Sequence, residues 1–101
     1  MSQVRYLFNT PGRYVGFVHG NNVFSPNCEW LGFLVKGNEF YSSEGSFIGY
    51  ILDDDRVVRR RGEGTRMRLM RPLRPLRPLR PLTPLRRMSK PRLPPPYEDV
   101  Y

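Results

Sequence analysis

Side chains that carry chemistry are scarce in this chain. His19 is the only histidine and Cys28 the only cysteine. A lone cysteine cannot form an internal disulfide, so a reducing, cytoplasmic setting is expected. One histidine and one cysteine make no metal cluster of recognised spacing. Nothing local joins them as base and nucleophile either. His19 falls in a turn and reads as solvated; Cys28 falls at a strand start and reads as a small buried thiol. Asp53-Asp54-Asp55 lacks the ligand spacing of a cation site and reads as a solvated hairpin turn. No catalytic set, cofactor or small-molecule substrate is expected, and the chain is read as not an enzyme. The opening MSQVRYLFNTPG has no apolar core of a signal peptide. No apolar run reaches the ~18 residues of a membrane-spanning helix. A soluble protein, or one bound at the periphery of a membrane, is the expectation.

What is present is divided unevenly. Residues 1–60 hold six Lys/Arg and six Asp/Glu, whereas residues 61–101 hold eleven against three, so the whole +8 charge lies in the second part. Two prolines lie in the first part and nine in the second. This predicts a domain over 1–60 and a basic, proline-rich, low-complexity tail over 61–101, with Gly62-Glu63-Gly64 as a hinge.

The first part is a repeat. RYVGFVHGNNVF (13–24), EWLGFLVKGNEFY (29–41) and SFIGYILDDDRVV (46–58) align on Gly16, Gly32 and Gly49. Each glycine is framed by aromatics: Tyr14 and Phe17, Trp30 and Phe33, Phe47 and Tyr50. Aromatic and β-branched residues around a polar turn predict three β-hairpins. Val4-Arg5-Tyr6-Leu7-Phe8 reads as a further strand. Strict alternation puts Tyr14, Gly16 and Val18 on one face and Val15 and Phe17 on the other, and likewise in the other units. Both faces are then apolar. One would line a small cup-like core, and the other would need cover from a partner strand, a second subunit, the tail or lipid. A tightly wrapped barrel burying both faces is the plainer alternative. The glycines are expected where hairpins crowd together.

Units of the form YVGF, WLGF and FIGY at this spacing resemble the bacterial β-flower family, the four-fold β-flower. The resemblance covers roughly residues 3–60, with three units matched and VRYLF supplying part of a fourth, in company with the strand near Val57-Val58. It implies an all-β fold: a shallow barrel of antiparallel hairpins with pseudo-four-fold symmetry. It implies no catalytic activity. The shape is similar to that of lipid-binding tubby-like barrels, which suggests membrane association by analogy alone.

The tail contains RPLRPLRPLRPLTPL, residues 71–85. Proline at every third position forbids helix and favours polyproline II, with three residues per turn. Arg71, Arg74, Arg77 and Arg80 would then form one stripe and Leu73, Leu76, Leu79, Leu82 and Leu85 a second, with prolines as a third. Arg86 and Arg87 extend the charge. Such a rod suits an anionic membrane surface or lipid. Nucleic acid is an alternative partner, although no aromatic lies within 61–96 to stack on bases. The PxxP pattern follows automatically from the repeat, so a groove-binding partner has little support. An inert, disordered extension left by repeat expansion is the plain reading. Pro94-Pro95-Pro96-Tyr97 also matches a WW-domain ligand by pattern.

The resulting expectation is a non-enzymatic binding or membrane-associating module. The alternatives are nucleic-acid association through the arginines, or a structural homo-oligomer with an inert tail.

Overall fold

The computed structural model describes residues 4–64 and 66–101. Eight strands form one antiparallel sheet in chain order: β1 (Val4–Phe8), β2 (Tyr14–His19), β3 (Asn22–Phe24), β4 (Trp30–Val35), β5 (Glu39–Ser42), β6 (Phe47–Ile51), β7 (Val57–Arg60) and β8 (Tyr97–Asp99). There is no helix among the described residues. The sheet curls into a half-barrel, and the molecule is flat, 36 × 36 × 20 Å. The three expected hairpins are β2–β3, β4–β5 and β6–β7. An all-β, shallow arrangement of antiparallel hairpins is therefore what the chain adopts.

The repeat is visible in the backbone. Leu7 pairs with Gly16 but Phe8 pairs with Tyr14, which leaves Val15 unpaired. The same slip omits Leu31, between the pairs Val23–Gly32 and Phe24–Trp30, and Ile48, between Phe40–Gly49 and Tyr41–Phe47. A bulge bends and twists its strand. Three at one height turn a flat ribbon into a cup.

The bulges also overturn strict alternation. Val15 and Val18 pack with Leu7, Val23, Leu31, Leu34, Ile48, Ile51 and Val57 around the Phe40 ring in a mainly aliphatic core. Tyr14 and Phe17 pack with Phe24 and Trp30 in a separate cluster. Val15 and Phe17 thus lie in different layers, not on one face. Across each glycine the period is three, with aromatics at 14/17, 30/33 and 47/50 and aliphatics at 15/18, 31/34 and 48/51. Ring contacts run along the aromatic layer: Phe17 on Phe24, Phe33 on Tyr41, Tyr41 on Phe47, and Phe47 on Tyr50, at centroid distances of 5.3–5.8 Å.

The repeat glycines lie where backbones crowd. A Cβ built on Gly16, Gly32 or Gly49 would run into the carbonyl oxygen of Phe24, Tyr41 or Val58 respectively.

The fourth unit is assembled from both parts of the chain. Leu7-Phe8 of β1 repeats Val23-Phe24, Phe40-Tyr41 and Val57-Val58. The place that β2, β4 and β6 hold in the other units falls to β8, which pairs with β7 through Val58–Asp99, Arg59–Glu98 and Arg60–Tyr97. One step on, Val100 donates to the Val57 carbonyl at 3.0 Å. The sheet therefore takes its eighth strand from within 61–101, so its edge does not coincide with the composition boundary at residue 60. VRYLF pairs with β2, and its contact with the β7 region is the isolated parallel bridge Phe8–Arg56. Thr10 joins Asp99 through two hydrogen bonds, from its N–H at 3.0 Å and its hydroxyl at 2.9 Å.

Candidate functional site

Between β7 and β8 the chain leaves the sheet, crosses its rim and returns. The departure is fixed by Arg66. Its guanidinium lies 3.8 Å from the Phe47 ring centroid. It also donates to the Tyr50 hydroxyl at 2.6 Å and to Glu63 at 3.1 Å. Tyr50 in turn donates to Glu63 at 2.6 Å. That bond holds the Glu63 carboxyl below its ordinary range, helped by Arg66, and pushes the Tyr50 phenol up.

The rim consists of equivalent loops. Gly12, Cys28, Gly45 and Gly62 share one place in the repeat, and all have positive φ: 93°, 66°, 90° and 75°. In three of them the residue at this place donates to a carbonyl three residues back, at 2.9 Å: Gly12 to Asn9, Cys28 to Ser25 and Gly45 to Ser42. The crossing segment touches these loops in turn. Leu69 N–H donates to Gly45 O at 2.9 Å, Arg77 to Asn27 O at 2.8 Å, and Arg87 N–H to Gly12 O at 3.0 Å. Beyond them Lys90 N–H donates to Thr10 O at 2.8 Å. The buried Arg56 donates to Pro91 O at 2.8 Å while its other face pairs with Asp54. The segment is thus a strap over the rim. Fifteen residues of polyproline II would run ~46 Å if straight, longer than the 36 Å disc is wide.

The strap presents its residue types unequally. Leu73, Leu76, Leu79, Leu82 and Leu85 are 88–95% exposed, and so are Met67, Met70 and Met88. Arg71, Arg74, Arg77 and Arg80 are exposed as well, while Pro75, Pro78, Pro81 and Pro84 are half-buried. Leucine and arginine therefore point outward, with proline turned toward the protein.

The sequence-predicted cations differ in what they touch. Arg71 and Arg74 make no hydrogen bond or ion pair among the described residues, whereas Arg77 and Arg86 spend one donor each on the loop carbonyls of Asn27 and Pro11. Arg80 approaches Tyr14, where it opposes the rise in phenol pKa that burial causes. Arg87 is inward-facing, 4.1 Å from the Phe8 ring centroid and 2.8 Å from Asp55. Asp55, expected in a solvated turn, also receives Arg5 at 2.6 Å. Cys28 is buried. Tyr97 opens β8, and its N–H donates to Pro94 O at 2.9 Å, so the PPPY segment turns into the sheet.

Sequence reasoning missed Arg56, Arg66, Asp55 and the rim residues Gly12 and Gly45. The rim had a readable signal, since Gly12, Cys28, Gly45 and Gly62 recur at spacings of 16, 17 and 17. The arginine anchors carried none, because the groups that tie them across the fold, Thr10 and Pro91 for Arg56 and Phe47 and Tyr50 for Arg66, lie far off in sequence. No group of three or more His, Cys, Asp or Glu that could hold a metal occurs among the described residues. No helix among them is long and apolar enough to cross a membrane.

A curled meander of short hairpins, with glycine-centred bulges repeating around a shallow cup, defines a flower-like all-β architecture. The chain belongs to the 4-fold beta flower protein family, whose model matches residues 1–98. That span includes the strap and reaches into β8. The family is not a known enzyme family. No curated protein and no solved structure matches the chain.

Proposed function

We propose that this protein is a non-enzymatic module that docks on anionic membrane surfaces through its strap, peripherally and from a reducing compartment. The observation that carries this reading is the outward leucine stripe. Five leucines and three methionines lie almost wholly in solvent, interleaved with arginines. Contiguous exposed apolar surface marks a contact site. Guanidinium groups near an anionic bilayer contribute ~1 kcal/mol each, and leucines entering the headgroup boundary add the burial of their side chains. The half-buried prolines support the same reading, because they orient the stripe away from the sheet.

Vesicle co-sedimentation tests it on the full chain, since truncation at residue 62 would remove β8. Binding to anionic vesicles, weakened both by Leu→Ser at 73, 76, 79, 82 and 85 and by Arg→Gln at 71, 74, 77 and 80, is the expected result. Full binding by the serine variant, with equal binding to oligonucleotides, would replace the membrane by nucleic acid. Failure of the wild-type chain to pellet would remove the membrane reading.

A further inference from the structure

We infer that Gly12 and Gly45 are positioning residues that hold the strap as a pre-set docking surface; this rests on the membrane reading above. The two glycines occupy equivalent places in the repeat, in the left-handed region of φ. At each, the carbonyl accepts from a strap amide, Arg87 at Gly12 and Leu69 at Gly45. The fit leaves no room for a side chain. A Cβ on Gly12 would overlap the Arg87 carbonyl oxygen, and one on Gly45 the Leu69 carbonyl oxygen.

The other two members of the set are controls supplied by the fold. Gly62 has the same backbone sense but nothing within 4 Å of its would-be Cβ, and it makes no strap contact there. Cys28 carries a real Cβ, and among the described residues no strap amide bonds its carbonyl. The strap reaches that loop by the Arg77 side chain, on Asn27 O. Backbone docking therefore occurs where the rim residue is glycine and the strap passes over it, and side-chain docking where it is not.

The consequence concerns the span between the latches. Residues 70–86 are held at both ends, and the leucine stripe is presented in a fixed direction. A stripe fixed before contact loses less conformational freedom on binding than a free tail would. Latched, the strap should bind anionic vesicles about tenfold more tightly than when released.

The test uses the full chain in four forms: wild type, Gly45→Ala, Leu69→Pro and Gly62→Ala. Leu69→Pro deletes the donor without touching the rim. Gly62→Ala imposes the same kind of backbone strain without a strap contact. Backbone 15N relaxation of residues 71–85 reads the latch in the absence of lipid, and co-sedimentation with phosphatidylserine-containing vesicles reads the docking. The expected result is increased nanosecond motion and about tenfold weaker binding for Gly45→Ala and Leu69→Pro, with Gly62→Ala like wild type. If Gly45→Ala fails to fold, Leu69→Pro carries the comparison. Released straps that bind as well as wild type overturn the positioning role and leave the membrane reading intact. Unchanged motion in Leu69→Pro overturns the latch itself. Wild type that moves little yet never pellets removes the membrane reading, and with it this role.

Discussion

Thr10 and Asp99 stand 89 positions apart in sequence, yet the Asp99 carboxylate accepts both the Thr10 amide and the Thr10 hydroxyl. This pair ties β8 to the loop that follows β1 without a sheet pairing between the two strands. Asp99→Ala leaves the Thr10 donors unmatched in a half-buried seam. A loss of about 1–2 kcal/mol is expected, read as a lowered urea midpoint with unchanged slope. An unchanged midpoint would show that the seam contributes nothing.

Gly32 lies against the Tyr41 carbonyl and the Phe40 ring. Gly32→Val must move backbone, and a cost of about 3 kcal/mol or more is expected, beyond ordinary overpacking. A Cβ on Gly64 would meet nothing within 4 Å, and its φ is not in the left-handed region, so Gly64→Ala should change stability by less than about 0.5 kcal/mol. Equal midpoints for the two variants would refute close packing at Gly32.

Arg66 combines a ring face with hydrogen bonds to Glu39, Tyr50 and Glu63, and only a planar guanidinium satisfies all of them. Arg66→Lys should lower the urea midpoint, because the ammonium cannot cover the ring and reach its acceptors together. A lysine variant as stable as wild type would mean that charge alone suffices.

Three of the groups with shifted pKa, Glu63, Glu98 and Tyr50, carry a pH dependence that hydrogen bonding explains. Glu63 is held below its ordinary range by its bond from Tyr50, and Glu98 by its bonds from Arg59 and Arg61. A carboxyl with depressed folded pKa contributes stability above its unfolded value, 4.5, and loses it as pH falls through the folded value. Tyr50 is raised by its bond to Glu63, so its contribution is complete below 10.0 and fades as pH rises beyond. The thermal midpoint should be flat between these limits and fall outside them. In Tyr50→Phe the alkaline fall should shrink and the acid fall should lessen. An identical profile for that variant would remove the Tyr50–Glu63 pair as its source.

Much of the fold was legible because its unit is local. The three hairpins, their glycines and their turns lie within 17-residue windows, where hydrophobic pattern and turn chemistry act directly. The face assignment was not, because Val15, Leu31 and Ile48 are ordinary β-formers that give no sign of being bulge residues. Only the register against the neighbouring strand sets them apart. β8 was hidden for a different reason. Tyr97-Glu98-Asp99 is three residues long and follows a run of prolines, so composition outweighed its strand signal. The period of the repeat predicts that each residue type shares an edge, since three residues per turn returns every third residue to the same side. Which edge turns inward depended on the rim beneath it, which no property of residues 71–85 encodes.

The strap's attachment at both ends has a consequence for how its length can vary. A triplet inserted or deleted shifts the chain by one full turn, about 9 Å, and leaves every leucine and arginine on its own edge. A single-residue change would rotate all later residues onto the wrong edge. The sheet sets a lower bound, because the span must still reach from Gly45 to Gly12. Above that bound, surplus triplets bow outward as a larger loop. On the membrane reading proposed above, repeat number would then set contact area in whole turns, on a scaffold that does not register the change.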